Sequence, residues 1–363
     1  MDITAHESLT WKYILNQLIS GQDLGSRHVD WAMDEIMTGS TPEPILASFL
    51  TSLHMKGETS EELGALARGM LAKAETIDLD VHAVDIVGTG GDQQNTVNIS
   101  TMAALVIAGT GATVVKHGNR ASTSKSGSAD VLEALGIQLD MPIKSVAACA
   151  RQVGITFLFA MTFHPSMRFV GPTRKILGIP TAFNYLGPMT NPARVSSSAI
   201  GVANPQMVEK MAWVFANRGD HALVFRGDDG LDELTIATTS QIWEASGGTL
   251  QKYVFNPEGY GIERSSLDNL RGGDAEYNAS VFRAVLAGEG ESAKDSLHAI
   301  RNAVLINAAA GLIAYRKNDG RSFEERYTEA LADARQSIDT GAAAQVLNAW
   351  VEFSHLVVET PSP

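Results

Sequence analysis

The stretch Val84-Asp85-Ile86-Val87-Gly88-Thr89-Gly90-Gly91-Asp92, followed by Thr96 and Asn98-Ile99-Ser100-Thr101, decides the fold class. A short apolar run that ends in glycines reads as a strand, and the residues from Ser100 through Ala108 read as the helix after it. The pattern recurs. Ala112-Thr113-Val114-Val115 is a second strand candidate, with a helix around Ala129–Leu135 beyond its loop, and Thr156–Phe159 and Ala222–Phe225 are further strands. Short strands alternating with helices predict a mostly parallel sheet covered on both faces. Helices are expected at Asn278–Ala287, Ala293–Tyr315, Ser322–Asp339 and Ala342–Val358. Upstream, residues 8–76 read as consecutive amphipathic helices. Thr41-Pro42 predicts an N-cap with proline at the first helical position, and Thr59-Ser60-Glu61-Glu62 has capping-box spacing. The expected class is α/β: a small N-terminal helical domain (1–78, with a returning helical segment about 166–192) and a larger α/β domain (79–165 and 193–363) whose mostly parallel central sheet is covered by helices.

The 363 residues hold 28 Lys and Arg against 41 Asp and Glu, a net charge of −13, and a hydrophobic fraction of 44% excludes a disordered chain. No uninterrupted apolar run approaches the ~18 residues of a membrane span, and Met1–Glu7 lacks the basic-then-apolar profile of a signal peptide. Cys149 is the only cysteine, so no internal disulfide forms and a cytoplasmic setting is expected. The acidity argues against nucleic acid and anionic membranes as partners. The charge is unevenly spread. Residues 141–208 contain no Asp or Glu but six Lys and Arg, and residues 93–208 hold nine cations against Asp130, Glu133 and Asp140, a net of +6 that leaves −19 for the rest. A stretch cleared of carboxylates inside an acidic protein predicts an anion site. A buried core segment also lacks charge, but it does not carry six cations.

Four motifs bear on the chemistry. The glycines of Gly88-Thr89-Gly90-Gly91-Asp92 let backbone approach an anion at a helix start. The turn is not a Rossmann fingerprint, because Gln93 takes the final glycine position, and no P-loop occurs. Lys116-His117-Gly118-Asn119-Arg120-Ala121-Ser122-Thr123-Ser124-Lys125-Ser126-Gly127-Ser128 packs three cations and five hydroxyls with no carboxylate, a composition that suits phosphate oxygens. Its Ser122-x-x-Lys125 lacks the K-T-G and S-D-N partners of an acyl-enzyme. Asp228-Asp229-Gly230-Leu231-Asp232-Glu233 offers hard oxygens suited to Mg²⁺ rather than zinc, and EF-hand spacing fails because Phe225 falls at the first ligand position. In the fourth, His164-Pro165-Ser166-Met167-Arg168 through Arg174, Arg174 suits a bidentate carboxylate contact, and the turn Phe183–Pro192 suits the wall of an aromatic site. Each alone is also compatible with an ordinary turn or loop.

Taken in order, G-T-G-G-D, N-I-S-T, K-H-G-N-R, S-x-S-A-D-V-L-E-A-L-G, H-P-x-M, F-N-x-L-G-P-x-T-N-P and D-G-L-D-E resemble the anthranilate phosphoribosyltransferase family over nearly the whole chain. The resemblance implies transfer of a phosphoribosyl group from 5-phosphoribosyl-1-pyrophosphate to anthranilate in tryptophan biosynthesis, with Mg²⁺, two per subunit, and a homodimer formed through the helical part. It also implies donor contacts at Gly88, Gly91, Asp92, Thr96, Asn98, Ile99, Ser100, Thr101, Lys116, Asn119, Arg120, Ala121, Ser122, Thr123, Ser124 and Ser128. Implied acceptor contacts are Gly88, His117, Asn119, Arg174, Gly187 and Pro188, and implied metal ligands are Ser100, Asp232 and Glu233. No general base is assigned; Lys116 and Mg²⁺ would stabilise the leaving pyrophosphate. The chain departs from the family's pattern at Met161, at Thr181 after Pro180 and at Ala182, beside the acceptor's path. The alternatives are a pyrimidine nucleoside phosphorylase, which lacks the K-H-G-N-R and F-N-x-L-G-P-x-T-N-P pair, and a non-catalytic nucleic-acid-binding relative, which the intact acidic motif disfavours.

Overall fold

The computed structural model describes residues 9–121, 124–290, 295–316 and 318–359. They fall into two compact units: one runs to Thr76 and resumes over Ala160–Pro192, the other takes Ile77–Phe159 and continues from Ala193.

The first unit is helical, with Trp11–Ile19, Ser26–Met37, Glu43–Lys56 and Ser60–Leu71 joined by the short helices Ala160–Phe163, Gly171–Leu177 and Phe183–Leu186. Ile14, Val29, Met33, Phe49, Leu53 and Leu66 form its fully buried core. The capping box is present as the spacing predicts: the Glu62 N–H donates to Thr59 Oγ1 and the Thr59 N–H donates to Glu62. The Thr41-Pro42 expectation is corrected. The helix begins at Glu43, and Pro42, at ψ 140°, is the extended N-cap with no side-chain bond. The proline of the first turn is Pro44, where a missing N–H costs nothing.

The second unit is built on a seven-stranded sheet: β1 (Val84–Gly88), β2 (Val114–Gly118), β3 (Ile155–Phe159), β4 (Ser197–Gly201), β5 (His221–Gly227), β6 (Ser240–Ser246) and β7 (Thr249–Phe255). The order is β3-β2-β1-β4-β5-β6-β7, parallel through β5 and antiparallel beyond it. The Ile99–Gly109 helix packs against the long Ser296–Tyr315 helix so closely that a Cβ on Gly311 would stand 2.3 Å from Ile107. Among the described residues, Ser296–Tyr315 is the one helix long and apolar enough to cross a membrane, but 89% of its apolar window is buried inside the unit. It is a core helix. From β1 the chain moves through β2 to β3 on one side, then returns to place β4 and β5 on the other. The order therefore reverses between β1 and β4, and in open α/β sheets the crevice outside the strand C-termini at such a point is where ligands bind.

Candidate active site

β1 and β4 end side by side, with Gly88 paired to Gly201. Both are glycine where the 231–234 segment lies across them, Gly201 against its backbone and Gly88 chiefly against a side chain. A Cβ on Gly201 would stand 1.6 Å from the Asp232 carbonyl oxygen, and one on Gly88 would stand 2.3 Å from Asp232 Oδ2. The glycine turn then passes over the same carboxylate. Gly90 and Gly91 adopt φ of 68° and 84°, and the Gly90 N–H donates to Asp232 Oδ2 at 2.6 Å. Gln93 and Asn95 continue in the left-handed region at 59° and 52°, a strain that persists only where surroundings over-determine the loop.

The helix Ile99–Gly109 starts at this crevice, and the Ser100 backbone N–H lies near enough to the Glu233 carboxylate to favour its charged form. Its N-terminal dipole end faces anionic groups. Lys116, on β2, is 1% exposed, and its Nζ donates to the Ile86 carbonyl and to Ser100 Oγ at 3.3 Å. It acts from within the unit, orienting Ser100 and balancing the carboxylates, rather than reaching into solvent.

Burial pushes the Asp232 carboxyl up to about 7, helped by the neighbouring Asp92, and burial also lifts Glu233 well above its ordinary value with Asp232 adding to it. Burial lowers the Lys116 ammonium against the opposing pull of Asp85, Glu233 and Asp232. Two buried carboxylates with a third close by are poorly balanced by one amine, and a divalent cation would relieve them. Among the described residues no three His, Cys, Asp or Glu side chains group so as to hold a metal by themselves. Two carboxylates beside the Ser100 hydroxyl fit Mg²⁺, which is bound through one or two carboxylates and leaves positions for water and phosphate. Asp228 and Asp229 do not join them. Asp229 accepts from the Leu231 N–H and Thr235 Oγ1, and Asp228 from Thr239 Oγ1, so both hold the turn that presents Asp232 and Glu233.

The second donor loop is anchored where the structure describes it; Ser122 and Thr123 lie outside the described residues. Asp130 Oδ2 accepts from the N–H groups of Ala121 (2.9 Å) and Gly127 (2.8 Å), tying the two ends together. Arg120 pairs with Glu133 and Asp130 and lies over Phe159 at 5.4 Å. Two of the three carboxylates in the cationic stretch thus serve one of its arginines. Thr101 Oγ1 donates to Ser128 Oγ at 3.1 Å, joining this loop to the Ile99–Gly109 helix, while Asn119 and Ser124 are exposed. His117 is buried at the end of β2, with its N–H donating to Asp85 at 3.1 Å.

Arg174, Gly187 and Pro188 belong to the helical unit. Arg174 Nη2 donates to Asn184 Oδ1 at 3.1 Å, and burial lowers its pKa with no neighbouring carboxylate opposing the shift. Asn184 offers it a neutral amide, so the guanidinium charge is available to an anion. Met161 is 67% exposed, while Thr181 and Ala182 are buried.

Several residues that shape the site carry no motif. Asn307, fully buried on the Ser296–Tyr315 helix, accepts from the Leu234 N–H (2.9 Å) and donates to the Leu234 carbonyl (3.0 Å), fixing the backbone just after Glu233. A lone asparagine within the apolar run 303–314 is the available signal. Gly201 and Asn278 offered none.

Comparison with known proteins agrees with this geometry. The a/b domain of the glycosyl transferase family matches residues 80–344, and its helical bundle domain matches residues 12–74. The anthranilate phosphoribosyltransferase of Arthrobacter sp. (strain FB24) is 53% identical over 345 residues, 95% of this chain and 96% of that protein. The crystal structure of the anthranilate phosphoribosyltransferase from Thermus thermophilus superposes with a TM-score of 0.86 at 37% identity, covering 94% of this chain and 99% of that one. The enzyme from Saccharomyces cerevisiae, in complex with PRPP and Mg, gives 0.85 at 27% identity, covering 96% and 99%. With identity of this level along nearly its full length, the chain belongs to the anthranilate phosphoribosyltransferase family.

Proposed function

We propose that the chain transfers the 5-phosphoribosyl group of 5-phosphoribosyl-1-pyrophosphate to the amine of anthranilate, giving N-(5-phosphoribosyl)anthranilate and pyrophosphate, a step of tryptophan biosynthesis. The observation that carries this reading is the convergence of the glycine turn, the Ile99–Gly109 helix start and the Asp232-Glu233 pair on one switch point, in a chain that belongs to this family.

The bond from the anomeric carbon to pyrophosphate breaks as the bond to the amine nitrogen forms, through an oxocarbenium-like state. Asp232, Glu233 and Ser100 would hold Mg²⁺, two ions per subunit, which when bound supply positive charge to the pyrophosphate oxygens. The N–H groups around Gly88, Gly91, Asp92 and Thr96, with Asn98–Thr101, bind the same anion. Asn119, Arg120, Ala121, Ser122, Thr123, Ser124 and Ser128 bind the phosphoribosyl portion. Arg174 takes the anthranilate carboxylate, Gly187 and Pro188 line the ring, and His117 positions the acceptor. The aromatic amine is neutral at pH 7 and attacks through its lone pair without prior deprotonation, losing one N–H proton to solvent once the C–N bond has formed, so alignment supplies much of the rate. The same reading gives a cytoplasmic homodimer formed through the helical part.

Loss of anthranilate fluorescence tests the reaction: the signal should fall only when donor and Mg²⁺ are both present, and no change in the complete mixture would leave a binding-only relative. Arg174→Ala should raise the KM for anthranilate about ten- to a hundredfold, as expected for a lost charged hydrogen bond, with donor KM little changed. Equal effects on both substrates would sink the carboxylate role.

A further inference from the structure

The two donor loops are joined by a line of side-chain amides that begins outside both. Asn278 is 1% exposed on the Ala275–Leu286 helix, and its Oδ1 accepts from the Gly273 N–H at 2.8 Å. Its Nδ2 donates to Asn98 Oδ1 at 2.9 Å, and Asn98 Nδ2 donates to the Ser126 carbonyl at 3.0 Å. The polarity of this line is fixed at its ends. A backbone N–H, which can only donate, closes one end, and a backbone carbonyl, which can only accept, closes the other. Each amide therefore has one permitted orientation.

The surrounding backbone points the same way. Leu270 to Gly272 run alongside the 95–97 turn: the Val97 N–H donates to Leu270 O at 2.9 Å, the Gly272 N–H donates to Asn95 O at 2.8 Å, and Thr96 and Arg271 form an antiparallel bridge. A Cβ on Gly272 would stand 2.8 Å from the Thr96 carbonyl oxygen, so the two segments are in close contact. Asn98 occupies the N-cap of the Ile99–Gly109 helix, yet its side chain makes no capping bond. It is turned toward Ser126, and Asn278 is the group that holds it there.

We propose that Asn278 is a positioning residue for the phosphoribosyl donor: by fixing the Asn98 amide, it sets the spacing between the 95–101 turn and the Ser124–Ser128 end of the second donor loop. The proposal rests on the donor assignment above. Asn278→Leu keeps the branched outline of the side chain, with bulkier methyls, but leaves the Gly273 N–H and Asn98 Oδ1 without partners, whereas Asn278→Ala leaves room for a bridging water. Asn278→Leu should weaken donor binding, titrated with 5-phosphoribosyl-1-pyrophosphate and Mg²⁺ in the absence of acceptor, about tenfold, the factor expected for an unsatisfied buried polar group. Donor KM should rise equally, Asn278→Ala should show a smaller loss, and acceptor KM at saturating donor should stay within about twofold. In an Asn98→Ala background the Asn278→Leu effect should largely vanish, because the coupling runs through that amide.

Equal rises in both KM values, or additive effects of the two substitutions, would overturn the relay. Should Asn278→Leu not fold, the same cycle with Asn278→Ala decides the question. A wild-type protein that binds no donor overturns the donor assignment and the proposal with it. A wild type that binds donor no better than Asn278→Leu overturns the relay alone.

Discussion

Asp232→Asn combined with Glu233→Gln should lower Mg²⁺-dependent turnover about a thousandfold or more, while the thermal unfolding temperature stays close to that of the parent. Both parts follow from the same geometry. The amides are isosteric with the carboxylates, and Asn at 232 still offers an oxygen to the Gly90 N–H, so the glycine turn keeps its support. What is lost is negative charge at the two positions where burial and mutual repulsion oppose it most strongly. A protein maintains such a pair for stability only with difficulty, because desolvation of two adjacent charges offsets much of what their partners return. Lys116 retains Asp85 as a counter-charge in the double variant. Activity measured across a Mg²⁺ titration, with calorimetry on the same samples, separates the outcomes. Near-normal turnover would reject the metal assignment, and a large drop in unfolding temperature would show that the carboxylates hold the fold rather than the ion.

The parts of the fold legible in the sequence were those with a local signature. β1, β3 and β5 are dense in Val, Ile, Leu and Phe, and β1 ends on a glycine, so their strand character is plain. β2 starts at Val114 and runs on through Lys116 and His117, later than the apolar run alone indicates, because pairing from Val114↔Ile155 to Gly118↔Phe159 carries the strand past its last valine. β4 was not legible. Ser197-Ser198-Ala199-Ile200-Gly201 is mostly small residues, which let other segments lie against the strand, and packing of that kind leaves no alternation to read. β6 and β7 form a hairpin whose outer strand alternates weakly and carries Gln251 and Lys252 at the sheet edge, where burial does not enforce a pattern.

The site divides similarly. Gly88, Asp92, Ser100, Lys116, Asp232 and Glu233 were visible as residue types clustered in sequence. The acidic run looked uniform, yet only its last two members face the crevice, since Asp228 and Asp229 satisfy turn donors that exist only once the chain is folded. Asn278 and Asn307 act across 180 and 73 positions of sequence, on Asn98 and Leu234, and no single-sequence pattern spans such a gap. Arg120, which the family resemblance implies as a donor contact, also pairs with Asp130 and Glu133, a pairing across 10 and 13 positions that no local motif spells out.

Gly201→Ala should be among the most damaging single substitutions in the chain, and comparison with Gly88→Ala and Gly259→Ala should show why. At Gly201 the added methyl would meet the Asp232 carbonyl oxygen at 1.6 Å and its carbon at 2.4 Å, both backbone atoms. β4 cannot retreat, because it is paired on both sides with β1 and β5, and Val202 N–H and Gly201 O are already bonded to Phe225 O and Thr89 N. The 231–234 segment must move instead, against the Asn307 clamp on Leu234. Overpacking of a buried site typically costs about 1–3 kcal/mol, and a clash with backbone on both sides belongs at or above the upper end. At Gly88 the first obstacle is Asp232 Oδ2, the end of a side chain, at 2.3 Å. That oxygen can rotate away, so Gly88→Ala should keep most of the stability and lose turnover through a displaced carboxylate. At Gly259 a Cβ meets nothing within 4 Å, and alanine there should fall within about 0.5 kcal/mol of the parent with full activity. Denaturant unfolding and kcat for the three variants therefore give a ranked result: Gly201→Ala loses stability and activity, Gly88→Ala activity with little stability, Gly259→Ala neither. A Gly201→Ala protein with normal stability and normal turnover would mean that Asp232 does not rest on the β4 terminus, and the close packing of the 231–234 segment over β1 and β4 would have to be abandoned.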